Sequence, residues 1–444
     1  MIAQLWKMQI SVINKAKSFS FFLFFFIIRL FSPVSAYPQA EYSIVIDRNL
    51  SSIVAGQNLL TFHKCIYEAE NFYFKTSIFE ENTFARKSAG IAYRLGKTIL
   101  LDNIIDHMTG LIQHEVFGHG ARYRELGYTN SSYTLNLFFP YGKGNGMAIS
   151  GNPPDGRIIS KHERILKTTG GNEATGILAD QLTQNWLNRE SINYRECGLF
   201  LGSFHNLTSY IVFTKYQKSI SYSNDIGSYI FEINSNEGQF SNGTYYNIDK
   251  LIKYSALNLF NTFQYFAAYT YLKSYLWSGQ ENFDFPMIKM ASVKYLPSFR
   301  FGLSPFGAEF YSDHFLKFNK KLFSVYGRYG EPTFHKFWGI GVNASDFFDF
   351  KFIKISAKAD LWQQPEVWLG GKELSSQKNH FGYSISNTLK FKFSNNNYPL
   401  TLSVQYGYKS AGFIMGETLN KGFILRAGIS FTEKNKKSSD QTGS

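Results

Sequence analysis

The sequence predicts an α+β protein in which a mainly helical domain precedes an antiparallel β-barrel of about eight strands. Three observations support this fold class. Long helical stretches give way near residue 285 to successive strand-like runs, these runs alternate apolar and polar residues, and aromatic residues make up 18% of the chain. We therefore divide the chain into a helical domain at 37–284, a barrel domain at 285–432 and a polar tail at 433–444.

The first 36 residues have the features of a signal peptide. Lys7, Lys15 and Lys17 precede the apolar run FSFFLFFFII, and the small residues of PVSA suit cleavage after Ala36. The apolar core is only about ten residues long, whereas a membrane-spanning helix needs roughly 20, so a cleaved signal is favoured over an uncleaved anchor. The sequence thus predicts that the mature chain is exported.

The helical domain contains two apolar stretches, at 199–213 and 251–277. Each is interrupted by polar residues, among them His205 in the first and Lys253 and Lys273 in the second. A helix inside a bilayer avoids such residues, so we expect both stretches to form buried helices of the helical domain and not membrane spans.

The predicted barrel strands have a period of two. In FIKISAKADL, Ile353, Ile355 and Leu361 share one face, and Lys354 and Lys358 share the other. The same alternation recurs in FGYSISNTLKFKF, LTLSVQYGYK and GFILRAGISF. Many of these runs are near the ~10 residues of a tilted membrane strand, and they are rich in aromatic residues, which favours an outer-membrane barrel. The alternative is a soluble antiparallel sandwich or small barrel, whose strands also alternate.

The mature chain is basic, but it has no nucleic-acid-binding motif. Removal of residues 1–36 takes away four basic residues and no acidic one, so the formal net charge falls from +13 to +9. Many lysines alternate with apolar residues in strand-like runs. We assign them to the barrel lumen or to a surface facing anionic lipid, and we expect no nucleic-acid partner.

The two cysteines, Cys65 and Cys197, belong to no CxxC motif or Cys/His cluster. This spacing argues against a thiolate metal site or a redox motif. An exported protein can form a disulfide, but spacing alone leaves open whether these two residues pair.

The strongest chemical signal is HEVFGHG at residues 114–120. Zinc proteases with an HExxH motif place two histidines on one helical face, whereas His114 and His119 are one residue further apart. On an ideal α-helix this spacing turns the two side chains about 140° away from each other. A π-turn, which accommodates one extra residue, would bring them back together, and Gly118 is expected to ease it.

HEVFGHG resembles the HELLGHG signature of the dipeptidyl peptidase III family of zinc exopeptidases, in which the histidines are also five residues apart. In that family a glutamate on a later helix is the third ligand, and Glu173 of GGNEATGILADQL matches it by position. The resemblance implies a zincin-like helical domain that binds Zn²⁺ through His114, His119 and Glu173. It does not extend beyond these motifs, so the dipeptide-releasing specificity of the family is not carried over.

Two imidazoles and one carboxylate leave a fourth position on zinc open for water, as a catalytic site requires. Glu115 is adjacent to His114 and is not needed as a ligand, so we expect it to act as the general base. The donors considered for the oxyanion, left unranked, are Tyr123, Tyr128 and His205.

These features predict a zinc-dependent hydrolase of the Gram-negative envelope, most plausibly a metallopeptidase acting on a peptide or protein. The barrel would lie in outer-membrane lipid and the metal-site domain in the periplasm. A second hypothesis is a non-catalytic outer-membrane barrel for transport or envelope structure, with a structural or vestigial metal site. A polytopic intramembrane protease is disfavoured by the mean hydropathy of -0.21. The sequence leaves the substrate and the oligomeric state open.

Overall fold

The computed structural model describes residues 41–73, 83–154, 156–217, 224–235, 246–319, 321–332, 336–370, 378–393 and 400–432. The predicted signal peptide at 1–36 and the polar tail at 433–444 lie outside the described residues. The described chain mixes helix and strand, with a helical N-terminal part and a large antiparallel sheet after it. The coarse α+β prediction is therefore confirmed.

Helices occupy most of the chain before residue 278. In the described ranges the α-helices are α1 (Ser52–Tyr73), α2 (Phe84–Lys97), α3 (Asn103–His114), α4 (Gly120–Glu125), α5 (Lys161–Arg189), α6 (Tyr194–Phe204), α7 (Asn206–Tyr216), α8 (Asp225–Asn234), α9 (Ile248–Ser255) and α10 (Thr262–Tyr269). Further helical turns are the π-helical segments Thr98–Asp102, Glu115–His119 and Thr270–Trp277 and the 3₁₀ segment Ala256–Phe260. None of the helices that the structure describes combines the length and the hydropathy that crossing a bilayer requires.

Strands occupy the N-terminus of the described chain, two short two-stranded sheets and nearly all of the C-terminal part. They are β1 (Glu41–Asp47), β2 (Ser132–Leu135), β3 (Gly146–Ile149), β4 (Ser191–Asn193), β5 (Asn282–Asp284), β6 (Ile288–Met290), β7 (Val293–Ser304), β8 (Gly307–Phe318), β9 (Lys321–Pro332), β10 (Phe337–Asp349), β11 (Ile353–Pro365), β12 (Asn379–Phe393), β13 (Leu400–Lys409) and β14 (Gly422–Thr432).

The large sheet is an antiparallel meander from β6 to β14, extended by β1, which pairs with β14. It contains ten strands and is not closed, because β6 and β1 lie at opposite ends of the strand order. The predicted closed barrel of about eight strands is corrected on both points. The N-terminal strand also joins the sheet from inside the segment that we assigned to the helical domain.

Helical side chains occupy both open edges of this sheet. Asn58 of α1 accepts a hydrogen bond from the Val45 amide at 2.8 Å and donates one to the Val45 carbonyl at 2.8 Å, and Thr61 bonds both backbone groups of Ser43 in the same way. At the opposite edge, Asn258 accepts from the amide of Phe301 in β7 at 2.8 Å. Backbone groups that a neighbouring strand would satisfy in a closed barrel are thus satisfied by helices.

Replacing Asn58 with leucine is expected to destabilise the protein by about 1–3 kcal/mol, because both backbone groups of Val45 lose their partner. Chemical denaturation of the purified protein measures the change in the free energy of unfolding. Asn420→Leu, at an exposed position, is the matched control and should change this energy by less than about 0.5 kcal/mol. Equal effects of the two substitutions would contradict the role assigned to Asn58.

The helices and the sheet share several hydrophobic clusters, the largest of which is centred on α5. Leu182 and Trp186 of α5 are fully buried against Phe200 of α6, Phe263 of α10 and Phe315 of β8. The central helix α5 therefore packs on its own layer and on the sheet at the same time. The same helix also lies against the HEVFGHG segment.

In β11 and β12 the two faces of the sheet are inverted relative to the sheet of a water-soluble protein, whereas β7 and β8 turn apolar residues such as Phe301 and Phe315 inwards. In β11, Leu361 is 45% exposed whereas the neighbouring Asp360 is 5% exposed, and in β12 Ile385 and Ser386 are 53% and 4% exposed. The predicted alternation is present, with the polar face directed inwards. Large apolar side chains cover the outer face, including Trp338, Ile340, Phe381, Tyr383, Tyr406, Phe423 and Leu425.

Candidate metal centre

The HEVFGHG segment contains the π-turn that its spacing predicts. Helix α3 ends at His114, the π-helical segment Glu115–His119 follows, and α4 begins at Gly120. The extra residue per turn brings the ring centroids of His114 and His119 to within 5.0 Å of each other. One ligand atom from each of His114, Glu115 and His119 lies within 4.8 Å of the others, and all three residues are buried.

Glycines let α5 approach this segment closely. A Cβ atom at Gly118 would lie 2.6 Å from the carbonyl oxygen of Gly170 and from the Cα atom of Gly171. A Cβ atom at Gly171 would overlap the imidazole of His114. The space for the first histidine therefore exists because α5 has no side chain there.

Each histidine is oriented through its Nδ1 atom. The Nδ1 atom of His114 contacts the Asn206 side-chain oxygen at 3.1 Å, and Nδ1 of His119 contacts the Lys167 carbonyl at 2.8 Å. Because oxygen partners at Nδ1 hold a proton there, Nε2 is the atom of each ring that is left to bind a metal ion in place of a proton. Both Nε2 atoms point towards the same carboxylate, that of Asp225.

Asp225 is the carboxylate that completes the group. Its Oδ2 atom lies 3.1 Å from Nε2 of His114 and 3.3 Å from Nε2 of His119. Asp225 is the first residue of α8, where the side chain of Asn224 caps the helix by accepting from the Gly227 amide. Asp225 is not predictable from the sequence, because an aspartate in the first turn of a helix is ordinary and its distance along the chain from His119 matches no motif.

Glu173, the expected third ligand, makes other contacts. Its carboxylate forms an ion pair with Arg122 and accepts a hydrogen bond from the Gly416 amide at 2.6 Å. The physical reason is the position of these residues around α5. Gly171 contacts His114, and Glu173, two positions later, points about 200° away around the helix. The structure therefore brings together His114, Glu115 and His119 but not Glu173, and the carboxylate that lies beside both Nε2 atoms is that of Asp225.

The electrostatics of the group follow from burial and from the close charges. Burial opposes the charged form of Asp225, but the two histidines outweigh it and hold the pKa of Asp225 well below its usual range. Burial also lowers the pKa of His119, and the charge and hydrogen bond of Asp225 reverse this effect and raise it to about 9. Burial raises the pKa of Glu115, and the nearby histidines only partly offset that rise. Glu115 is thus the carboxylate of this group that takes up a proton most readily.

Aromatic residues surround the two histidines. The ring of Tyr123 stacks near His119 at 6.3 Å, and Tyr128 lies next to Tyr123 at 5.9 Å. Tyr210, which our sequence analysis did not single out, stacks on His114 at 5.4 Å. His205 follows α6 and interacts with Gln264 instead. Among the expected oxyanion donors, Tyr123 is thus the one whose ring stacks beside His119.

The structure has no disulfide bond between Cys65 and Cys197.

No protein-family model matches this chain, and neither a curated protein nor a solved structure matches it. Interpretation of the site therefore depends on its own geometry.

Proposed function

We propose that this protein is a zinc-dependent hydrolase, in which His114, His119 and Asp225 hold the ion and Glu115 is the general base. One observation carries the proposal: the Asp225 oxygen lies 3.1 and 3.3 Å from the two Nε2 atoms. Ligands at zinc bond lengths of about 2.0–2.2 Å in tetrahedral geometry are about 3.3 Å apart. The Asp225 oxygen therefore already lies at the distance from each imidazole nitrogen that two ligands of one tetrahedral ion would have.

The donor set also fits a catalytic zinc site. Two imidazole nitrogens and one carboxylate oxygen are the ligands of known zinc hydrolases, and three ligands leave one position for the reactants. Asn206 and the Lys167 carbonyl supply the outer hydrogen bonds that fix the imidazoles. When bound, the ion supplies Lewis acidity, which polarises a carbonyl group and makes a water molecule a stronger acid.

Glu115 has the position and environment of a general base. It is adjacent to His114 in the chain, is buried, and has a raised pKa because of that burial. Hydrolysis of an amide adds one water molecule across the C–N bond. The water oxygen bonds to the carbonyl carbon, the C–N bond breaks, and Glu115 carries the water proton to the leaving nitrogen.

The experiment combines metal analysis with an activity assay. The mature protein should contain about one zinc ion per chain and should cleave internally quenched peptides. The variant Glu115→Gln should keep its zinc and lose about 10²–10⁴-fold in kcat, because the amide cannot accept the water proton. A metal-bound variant with full activity would remove Glu115 from the mechanism. A zinc-loaded wild type that hydrolyses no peptide would overturn the peptidase proposal.

The inverted sheet supports a place in the outer membrane. Its outer face carries exposed apolar side chains on β9 to β14, and its inner face carries polar ones such as Asp360, Ser386 and Arg426. This distribution is typical of membrane strands, whose outer face contacts lipid. The outer face would lie in outer-membrane lipid, with the metal centre reached from the periplasm.

The second candidate function is a non-catalytic membrane protein for transport or envelope structure. The polar inner face favours it, because a cavity of about 300 Å³ lies between α1, α5 and the sheet and is lined by Arg300, Arg328 and Arg426. A mature protein without bound metal would leave only this second candidate, whereas a metal-bound protein is assigned to one of the two candidates by whether it hydrolyses peptides.

A further inference from the structure

One face of α5 lines a small cavity between the helices and the sheet. Asn172, Gly176 and Asp180 are four residues apart along this helix, so they share that face and span about 12 Å. They line a cavity of about 60 Å³ whose other walls come mainly from α6, β7 and β8. A Cβ atom at Gly176 would meet no atom within 4 Å, so the middle of this face is open.

The wall of this cavity includes buried side-chain oxygens that have no hydrogen-bond partner among the described residues. They belong to Asn172, Ser203 and Ser298, which are only 6%, 3% and 2% exposed. A buried polar atom without a partner is unfavourable, and buried water molecules commonly supply the missing hydrogen bonds. At roughly 15 Å³ per molecule, the cavity has room for about four waters. Four waters joined by hydrogen bonds of about 2.8 Å are enough to connect Asn172 with Asp180.

At the Asp180 end, the small cavity adjoins the larger one of about 300 Å³ inside the sheet. Asp180, Arg300, Asp313, Phe315 and Met415 line both cavities. The Arg300 Nε atom donates to Asp313 at 2.9 Å, so an ion pair lies at the junction with the Asp180 carboxylate. Removing charged groups from water is costly, and a polar inner face is typical of a water-filled sheet interior. Water therefore has a polar route from the interior of the sheet to Asn172.

At the other end, Asn172 contacts the metal centre. Its side-chain nitrogen lies 3.5 Å from Oδ2 of Asp225, whereas its buried oxygen has no partner among the described residues. One side-chain amide thus separates the cavity from the proposed zinc ligand. The neighbouring residues His114, Glu115 and His119 are only 3%, 3% and 6% exposed, so water has little access to them from the protein surface.

We propose that water reaches the metal centre from the interior of the sheet, through a water passage lined by Asn172, Gly176 and Asp180. The inference rests on the proposed function, because hydrolysis consumes one water molecule for each bond that is cleaved. A bound peptide would cover the outer side of a centre that is already buried, and the water passage supplies the second reactant from within. The Asn172 amide holds Asp225 only through the 3.5 Å contact, so its rotation opens the last step.

Hydroxyl-radical labelling of the wild-type protein tests whether the water passage is hydrated. X-ray pulses form radicals from water inside a protein as well as outside it, so a buried ring beside water is oxidised. Phe263 lines the small cavity and Phe337 lines neither cavity, and both are 0% exposed. Mass spectrometry should find Phe263 oxidised at least about 5-fold faster than Phe337. Equally slow oxidation of the two rings would show a dry cavity and overturn the inference, while the proposed hydrolase would stand.

A side chain that fills the water passage tests its role in hydrolysis. Gly176→Leu should keep one zinc ion per chain and lower kcat for the internally quenched peptides about 10-fold or more, with KM nearly unchanged. It should also slow the oxidation of Phe263 to the rate of Phe337. The control Gly202→Leu makes the same change at an exposed position of α6, where a Cβ atom also meets nothing within 4 Å. It should leave zinc content, kcat and labelling unchanged.

The combined results distinguish failure of the water passage from failure of the hydrolase. If Gly176→Leu loses the labelling of Phe263 and keeps full kcat, water enters by another route and the inference fails. If Gly176→Leu does not fold, Gly176→Val fills the same space with a smaller side chain and carries the same expectations. If zinc-loaded wild type cleaves no peptide, the hydrolase proposal fails, and this inference fails with it whatever the labelling shows.

Discussion

Replacing Asp225 with alanine is expected to lower the zinc affinity of the protein by more than about 100-fold and to abolish hydrolysis. Its carboxylate oxygen lies 3.1 and 3.3 Å from the two Nε2 atoms, so its removal leaves two ligands for the ion. Loss of an outer hydrogen-bond partner costs roughly 10- to 100-fold in metal affinity, and loss of a ligand exceeds that range. Competition with a fluorescent zinc chelator measures the affinity.

Two further variants should lower zinc affinity less than Asp225→Ala does. Asn206→Ala removes the partner of the His114 Nδ1 atom and should lower zinc affinity by about 10- to 100-fold. Glu173→Gln should leave zinc affinity unchanged and instead destabilise the fold by about 1–3 kcal/mol, because buried Arg122 loses one of its two carboxylate partners and keeps only Glu125. If Glu173→Gln lost zinc and Asp225→Ala kept it, the assignment of the third ligand made from the sequence would stand and ours would fail.

Replacing Gly171 with alanine is expected to remove zinc binding although Gly171 is not a ligand. The added methyl group would overlap the imidazole of His114, which has no room to retreat because it stacks on Tyr210 at 5.4 Å. Either the ring turns away from Asp225 or α5 moves off the π-helical segment. Overpacking of this kind costs about 1–3 kcal/mol in stability, in addition to the loss of the site.

The control for this substitution lies on the same helix. A Cβ atom at Gly176 would meet no atom within 4 Å, so Gly176→Ala should keep full zinc binding. It should also stabilise the protein by about 0.5–1 kcal/mol, since alanine is the better helix former. Equal zinc content in Gly171→Ala and Gly176→Ala, measured by elemental analysis, would show that close packing on His114 is not needed.

The alternation of apolar and polar residues predicts some features of the sheet but not others. Alternation in runs such as FIKISAKADL predicted the strands and separated the faces correctly, because side chains of a strand alternate regardless of context. The same alternation does not predict whether the sheet closes into a barrel. It depends on whether the last strand meets another strand or a helix, and here Asn58 and Asn258 provide the hydrogen bonds at the two edges. A single asparagine in a helical segment gives no sign of such a partner.

For the metal centre, too, some features follow from the sequence and others only from the tertiary structure. The five-residue spacing of His114 and His119 by itself determined the π-turn, because only a wider turn lets both imidazoles of one helix point to the same side. Which carboxylate meets them was decided by tertiary structure: α5 turns Glu173 towards Arg122, and α8 brings Asp225 from more than 100 residues away along the chain. Neighbouring residues determine local geometry. A contact between distant segments depends on how whole helices pack, and that packing cannot be read from one sequence.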